Sequence, residues 1–415
     1  MSASPARRAA FTVVRRVFED DAYADRALAA AVAGLDNRER AFAQQLAYGT
    51  VQRVRTLDHA IDTLGRRPVH KLDPPVRAAL RLGAYQLVFL DGVPAHAAVD
   101  ESVELVRGAR LERAVAFTNA VMRRLSEGAR SLVASLPDGT PAAAALRHSY
   151  PGWVAETFWR DLGRQDAVAL LAAQNEPPET VVRVNRRKAD PEQIDGEPDP
   201  VLPDAVRVDR IDKGWLEAGL VWPQSRGSQL AGLAVGARAG ERTLDLCAAP
   251  GGKATQLSGH VVAVEKHPGR ARELRENCAR LGATNVEVVQ ADALELPPGL
   301  GEFDHALVDA PCSGLGVLAS RPDLRWRARP LPELQLELLR IAAGSVRAGG
   351  TITYSVCTPN AEENEGVVDA TGLEADSSLG DEWSAYRHPR RPEFLLTLPH
   401  VHRTSGFFVA RLLVP

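Results

Sequence analysis

The chain has 415 residues, of which 45% are hydrophobic and 25% carry a charged side chain. This composition is ordinary for globular proteins, so it excludes a largely disordered chain, and the length predicts two or three domains. No apolar segment is long enough to span a membrane, and the first residues lack the apolar stretch of a signal peptide. We therefore expect a cytoplasmic protein without membrane attachment.

The net charge of −3 is unevenly distributed along the chain. Residues 1–130 contain 20 Arg and Lys against 15 Asp and Glu, and the remaining residues contain 30 against 38. A basic front half is typical of a protein that binds a polyanion. A solvated helical surface would show the same balance, so charge alone leaves both interpretations open.

The front of the chain has the periodicity of helices. Ser4 followed by Pro5 indicates a helix start, and the apolar residues after it fall on one helical face. Similar patterns predict helices over 38–64, 74–90, 96–107 and 111–127. Because no strand alternation appears before about residue 180, we expect an all-α first domain over residues 1–135.

The middle of the chain predicts a small α/β subdomain over residues 145–225. A helix is expected over 153–172, and the β-branched run at 180–184 predicts a strand. The segment 190–204 is rich in Pro, Asp and Gly, which favours loops.

From residue 226 to 415, short apolar runs alternate with helical segments, which predicts a parallel sheet covered on both faces. Helices are expected over 253–258, 268–281, 331–347 and 362–370. The segments Phe394–Leu398 and Gly406–Leu413 are expected to form an antiparallel edge pair. The predicted parallel strands are Thr243–Leu246, Val261–Glu265, Val286–Gln290, His305–Asp309 and Thr351–Ser355.

The loops after the first three strands suggest a nucleotide-like pocket. A segment with two glycines, Cys247–Lys253, follows the first strand, and glycines let a backbone approach a ligand closely. Glu265 ends the second strand, where an acid can bind ribose hydroxyls, and Asp292 follows the third, where it could accept from an adenine amino group. Singly, the segment could be a tight turn and the acids could be caps, but together they predict an adenosine-shaped pocket.

The four cysteines divide into two pairs by position. Cys247 and Cys278 are expected to be small buried hydrophobic residues. Cys312 and Cys357 follow the fourth and fifth strands, at the sheet edge where chemistry takes place. None of the four has the spacing of a zinc site, so no metal is expected, and their small number favours a reducing compartment.

These residues carry a resemblance to a known family. Asp245–Lys253, Asp309–Gly314, Cys357 and Glu362–Glu365 resemble motifs of RNA cytosine-C5 methyltransferases. In the front half, Ala47–Gly49, Arg81–Leu87 and Asn119–Arg124 look like a NusB-type RNA-binding domain. The combination resembles the bacterial RsmB-type (Sun/Fmu) family, which modifies a cytosine of small-subunit (16S) ribosomal RNA.

The resemblance implies a fold and a set of site residues. The fold would be an all-α NusB-like domain, a small α/β subdomain and a Rossmann-like methyltransferase domain that uses S-adenosyl-L-methionine. Cys357 would attack cytosine C6, Cys312 would resolve the adduct and Asp309 would hold the base. The expected cofactor-binding residues are Cys247, Ala248, Ala249, Pro250, Gly251, Gly252, Lys253, Glu265, Arg270, Asp292 and Asp309.

Several alternatives stay open at this point. Chemistry alone does not choose the attacking cysteine, because DNA-type enzymes attack from the Pro-Cys motif, and Val356 stands where the family usually has threonine. The substrate could instead be tRNA, DNA or a small molecule. The chain could also be an RNA-binding assembly factor with an inactive methyltransferase fold. We expect a monomer that binds ribosomal RNA, free or in an assembling subunit; the sequence does not name the target nucleotide.

Overall fold

The computed structural model describes residues 3–415, which fall into two compact units. The helical unit contains the described residues up to Glu176 together with Leu318–Arg327. The sheet unit contains Pro177–Val317 and Ala328–Pro415. Among residues 3–415, no helix combines the length and apolar character that a membrane crossing requires.

The predicted all-α character of the front of the chain is confirmed. The helices expected over 38–64, 74–90, 96–107 and 111–127 appear within a few residues of these bounds, except that the last one continues to Ala134. The helices of this unit are α1 (Pro5–Glu19), α2 (Ala24–Ala31), α3 (Asn37–Gly65), α4 (Pro74–Phe89), α5 (Ala95–Gly108), α6 (Glu112–Ala134), α7 (Pro141–His148), α8 (Gly152–Ala173) and α12 (Leu324–Arg327).

Small residues allow the helices of this unit to pack closely. Gly49 of α3 faces Tyr85 of α4, and a Cβ at this position would lie 2.0 Å from Cζ of the tyrosine ring. Only glycine fits at such a distance, because a real Cβ would overlap the ring. The core around this contact is rich in alanine and valine, including Ala43, Ala47 and Val51 of α3.

The segment Leu318–Arg327 is anchored in the helical unit by Arg325, whose side chain is fully buried. Its guanidinium donates to the backbone carbonyls of Gln52 at 3.0 Å and Ser149 at 3.1 Å, and to Oδ1 of Asn175 at 2.8 Å. It also lies 3.8 Å from the centroid of the Tyr150 ring. Burial lowers the pKa of Arg325 to about 10, so the group stays charged at neutral pH. A buried cation held by neutral acceptors is stable only while those hydrogen bonds are made.

The sheet unit contains a small antiparallel sheet with the strand order β2-β3-β1-β4. The predicted strand at 180–184 is confirmed as β1, whereas its three partners were not predicted, because they are only two or three residues long. The helix expected over 153–172 appears as α8 in the helical unit, but it is kinked at Gly163, whose φ of +80° is not helical. The strands are β1 (Val181–Val184), β2 (Glu197–Pro198), β3 (Ala205–Arg207) and β4 (Val221–Pro223).

The main sheet has the strand order β10-β12-β9-β8-β5-β6-β7, with β11 paired to β12. Strands β5 to β9 pair in parallel, and β12 runs antiparallel to β9, so the predicted Rossmann-like fold class is confirmed. The strands are β5 (Arg242–Asp245), β6 (His260–Val264), β7 (Val286–Val289), β8 (Phe303–Asp309), β9 (Val346–Val356), β10 (Glu374–Ala375), β11 (Leu395–Thr397) and β12 (Phe407–Leu413).

Helices of the sheet unit flank these strands. Three of the four predicted helices are confirmed, as α11, α13 and α14. The helices are α9 (Lys213–Ala218), α10 (Arg226–Leu233), α11 (Pro268–Leu281), α13 (Pro332–Ser345), α14 (Glu365–Thr371), α15 (Ser378–Glu382) and α16 (Pro399–His402).

Two predictions about this unit are wrong in part. The helix expected over 253–258 is a single 3₁₀ turn, Ala254–Gln256, because the positive φ angles of Gly251 and Gly259 leave too short a segment to nucleate an α-helix. The pairing of the last two strands is confirmed, but β12 is not at an edge. It lies between β9 and β10 and is buried along nearly its whole length.

We predict that Arg325→Ala lowers the free energy of unfolding of the helical unit by about 3 kcal/mol, because several buried acceptors lose their donor. Arg325→Lys should recover part of the loss, since an ammonium keeps the charge but cannot reach the same set of acceptors. Urea titration followed by helical circular dichroism measures both. Replacing the exposed Arg329 by alanine is the control. Equal stability of the Arg325 and Arg329 variants would contradict the assigned anchor.

Candidate active site

The parallel register of three central strands brings the predicted site loops to one edge of the main sheet. Asp245 at the end of β5 is paired with Leu307 of β8, and Asp309 at the end of β8 is paired with Ser355 of β9. Cys357 follows the last residue of β9. The chain therefore leaves all three strands at the same edge.

The glycine-containing loop after β5 is shaped by packing within the protein. Gly251 has a φ of +104°, and a Cβ there would lie 2.6 Å from Cδ1 of Leu274 on α11. A Cβ at Gly252 would lie 2.8 Å from Nε1 of Trp222. Both positions need glycine, the first for its backbone conformation as well, because neighbouring side chains fill the space.

A cleft of about 440 Å³ opens beside this loop. It is lined by six of the predicted cofactor-binding residues: Cys247, Ala249, Glu265, Arg270, Asp292 and Asp309. The other five predicted residues, Ala248, Pro250, Gly251, Gly252 and Lys253, are not part of this lining.

The apolar side of the cleft was not predicted from the sequence. Leu334 and Leu338 of α13 line it, together with Leu294 and Pro311. The helical periodicity of α13 predicts a buried face but does not say which element covers that face. Pro311 directly precedes Cys312, so the cleft extends to the loop that carries this cysteine.

Acidic side chains in the cleft are held by neighbouring donors. Glu265 is buried and accepts from the backbone N–H of His267 at 2.8 Å, with Nη1 of Arg270 at 3.5 Å. Asp292 accepts from Nζ of Lys266 at 2.6 Å, and this hydrogen bond lowers the pKa of Asp292. Two acids from successive strand ends therefore face one cleft, which fits the hydroxyl and amino groups of an adenosine.

Asp309 is fixed from both sides. Its Oδ2 lies 2.7 Å from Nζ of Lys253, and its Oδ1 accepts from Oγ of Ser355 at 2.7 Å. The Lys253 ammonium also lies 5.0 Å from the centroid of the Phe407 ring. Lys253 thus holds Asp309 in place although it does not line the cleft.

Asp245 is a buried carboxylate without full compensation. It is 1% exposed, its Oδ1 accepts from the backbone N–H of Cys247 at 3.3 Å, and its Oδ2 has no hydrogen-bond partner among the described residues. Burial, reinforced by the charge of Asp309, raises the pKa of Asp245 to about 7. Since uncompensated buried charges cost stability, the position is typical of a functional site.

Cys312 and Cys357 meet in space, with their Sγ atoms 3.4 Å apart. The hydrogen bond between the two sulfurs, together with burial, raises the pKa of Cys312. The expectation of a small buried cysteine is confirmed for Cys278 and wrong for Cys247, which is half-buried and lines the cleft. Burial raises the pKa of both thiols. The structure therefore brings together the same two cysteines that the strand ends suggested.

We predict that Asp245→Asn stabilises the ligand-free protein at pH 8. As the pH rises from about 4 to about 7, the unfolded carboxyl releases its proton while the folded one retains it, so the wild type loses stability over this range. The variant lacks this loss, and its advantage should reach about 4 kcal/mol at about pH 8 and shrink towards about pH 4. Thermal unfolding at several pH values measures the difference.

Asp304→Asn is the control, and its effect on stability at pH 8 should have the opposite sign. A hydrogen bond from the backbone N–H of Arg242 lowers the pKa of Asp304, so its loss should destabilise the protein at pH 8. An Asp245→Asn effect that does not change with pH would contradict the assigned pKa.

Three family models match consecutive parts of the chain. The model described as 16S rRNA methyltransferase RsmB/F matches residues 233–413. The NusB family matches residues 4–127, and a ferredoxin-like domain of RsmF/B-like methyltransferases matches residues 150–211. All three agree with the resemblance seen in the motifs.

Relatives and a solved structure match over almost the whole length. The probable ribosomal RNA small subunit methyltransferase B of Synechocystis is 31% identical and covers 98% of this chain and 99% of its own. Its namesake from Bacillus subtilis is 30% identical and covers 99% of both. The crystal structure of PH0851 shares the fold, with a TM-score of 0.81 at 22% identity and 99% coverage of both chains. Because the identity to these relatives extends over almost the whole chain, the chain belongs to the family of ribosomal RNA small subunit methyltransferases B.

Proposed function

We propose that the chain transfers a methyl group from S-adenosylmethionine to C5 of a cytosine in small-subunit ribosomal RNA, with Cys357 as the nucleophile. The observation that carries the proposal is the pair of thiols, 3.4 Å apart, in loops beside the cleft. Family membership supports an RNA substrate and a methyl transfer. The cytosine base and the covalent step are what the motif resemblance implies, and the pairing of the two thiols supports them.

The cleft residues fit S-adenosylmethionine, which would supply an activated methyl group on a sulfonium. Glu265 would bind the ribose hydroxyls and Asp292 the adenine amino group. The leucines of α13 would contact the adenine ring, because they form the apolar side of the cleft. The buried Asp245 would be compensated if a polar or cationic group were bound near it.

Cys357 and Cys312 would have different roles in the reaction at the cytosine. The Cys357 thiolate would add to C6, which gives C5 the electron density it needs to take the methyl group. Transfer of the methyl group would release S-adenosylhomocysteine. Water would then accept the C5 proton, the C5–H electron pair would form the C5–C6 double bond, and the electrons of the Cys357–C6 bond would return to sulfur as the thiolate. Cys312 would assist this last step, and Asp309 would hold the N3/N4 edge of the cytosine.

The pKa of the Cys312 thiol supports this order of roles. The raised pKa of Cys312 favours its neutral form, whose S–H can donate to Cys357. The thiolate is the nucleophile in cysteine chemistry, so a raised pKa makes Cys312 the less suitable attacker. This supports Cys357 as the nucleophile, which is the role that the motif resemblance implies.

The helical unit would bind the RNA substrate. Its sequence matches the NusB family, and residues 1–130 carry an excess of basic side chains. Arginines there would bind phosphates and the shape of an A-form helix. The ranges of the three family models support a division into a NusB-like domain (1–135), a small subdomain (145–225) and a catalytic domain (226–415), although α8 packs in the helical unit.

Two substitutions test the cysteine roles. We predict that Cys357→Ala abolishes methylation, because no thiolate can add to C6. Cys312→Ala should accumulate a protein–RNA adduct that survives denaturation, because the adduct forms but is not resolved. Gel electrophoresis with labelled RNA measures the adduct.

Cys278→Ala is the matched control, since this buried cysteine of α11 lies outside the cleft lining. It should methylate within about twofold of the wild type and trap no RNA. An adduct formed by Cys357→Ala and not by Cys312→Ala would reverse the assignment. Absence of adducts from both variants, with methylation intact in either, would exclude the covalent route.

A further inference from the structure

The carboxylate of Glu363 lies buried between the two cysteine loops, with none of its surface exposed. Its Oε1 accepts from the backbone N–H of Ser313 at 2.9 Å and of Leu331 at 3.1 Å, and from Nε2 of Gln335 at 3.0 Å. Its Oε2 accepts from Oγ of Ser313 and from Nδ2 of Asn360 at 3.4 Å. Each of these partners is a donor, which matches the acceptor-only character of a carboxylate.

This network ties the two cysteine loops together. Ser313 directly follows Cys312, and its hydroxyl is hydrogen-bonded to that of Thr358, which directly follows Cys357, at 3.0 Å. The backbone N–H of Gly316 also donates to the carbonyl of Cys357 at 2.9 Å. Without the carboxylate, its donors would lose their acceptor, and unsatisfied buried donors cost stability. We then expect the two cysteine loops to change conformation.

The charge of Glu363 also acts on Cys312. It adds to the sulfur hydrogen bond, to burial and to the charge of Cys357 in raising the pKa of the Cys312 thiol. Like charges in a buried site oppose ionisation, so a carboxylate here keeps Cys312 in its S–H form. An S–H that is retained at Cys312 can donate to Cys357, which is 3.4 Å away.

A further titratable group, Tyr354 of β9, belongs to the same cluster. Its hydroxyl donates to the backbone carbonyl of Glu363 at 2.6 Å. Burial, reinforced by the charges of Cys312 and Glu363, raises the pKa of Tyr354 well above its usual range. The phenol therefore stays neutral, and the carboxylate of Glu363 remains the acidic group that acts on Cys312.

We infer that Glu363 is a positioning residue that holds the Cys312 loop against Cys357 and sets the charge around the Cys312 thiol. For catalysis, this inference implies that Cys357 is the attacking thiol, and that implication rests on the proposed function. Glu363 reaches the reaction through Ser313 and Cys312, and nothing requires it to touch the substrate. Its removal should therefore change the chemical step more than the binding of RNA.

The test is the pH dependence of thiol alkylation in the full-length protein. Iodoacetamide labelling of Cys312, resolved by peptide mass spectrometry, is measured in a Cys357→Ala background so that one site thiol titrates. Adding Glu363→Gln should lower the midpoint of the Cys312 profile by about one pH unit or more. The substitution keeps an oxygen that can accept from the Oε1 donors but removes the charge.

Glu362→Gln is the matched control, because this exposed neighbour loses the same charge, and its side chain makes no hydrogen bond to the Cys312 loop within residues 3–415. It should leave the Cys312 midpoint unchanged. Glu363→Asp is the second variant: it keeps the charge and shortens the side chain. It should preserve the midpoint within about half a unit while lowering kcat more than it raises KM for RNA.

A midpoint that does not move in Glu363→Gln overturns the inference, whatever the enzyme methylates. If Glu363→Gln does not fold, Glu363→Asp carries the test, and a midpoint that falls by about one unit although the charge is kept would also overturn it. Failure of the proposed function gives a different pattern: the midpoint shifts as expected, but no variant and no wild-type protein methylates cytosine. The two results are therefore distinguishable.

Discussion

The candidate site depends on the parallel register of β5, β8 and β9. Asp245 and Leu307 are paired across the first two strands, and Asp309 and Ser355 across the second two. With this register, the loops that follow the three strands leave the sheet at one edge, and residues distant in sequence become neighbours. A shift by one residue would turn the alternate side chains to the opposite faces of the sheet.

Hydrogen bonds between loops hold in place the site side chains that the strand register brings together. Lys253 and Ser355 hold Asp309 from opposite sides, and the Glu363 carboxylate accepts from the loop that carries Cys312. These groups are buried or half-buried, where an unmade hydrogen bond is costly. The site is therefore held by a polar network at the end of an apolar sheet, and a change at one member is expected to affect the others.

Much of this arrangement could be predicted from local sequence. Short apolar runs indicated the parallel strands of the main sheet, and the residues at the strand ends identified Asp309, Cys312 and Cys357 as neighbours. The helix expected at 253–258 failed because periodicity does not register the conformations of Gly251 and Gly259. The inner place of β12 was missed because the order of strands in a sheet is set by tertiary packing.

Other features have no local signal at all. The leucines of α13 enter the cleft through the packing of a helix on the sheet, and the Glu363 network joins donors from separate segments of the chain. The segment Leu318–Arg327 belongs to the helical unit although both flanking segments belong to the sheet unit. Nothing in the local sequence distinguishes its buried Arg325 from exposed arginines, because burial depends on contacts with residues distant along the chain.

The most direct measurement is methylation of unmodified small-subunit ribosomal RNA by the purified protein with labelled S-adenosylmethionine, followed by nucleoside mass spectrometry and mapping. We expect the label to appear as 5-methylcytosine at a defined cytosine. Label on another base, on a ribose or on no nucleotide of this RNA would contradict the proposed function.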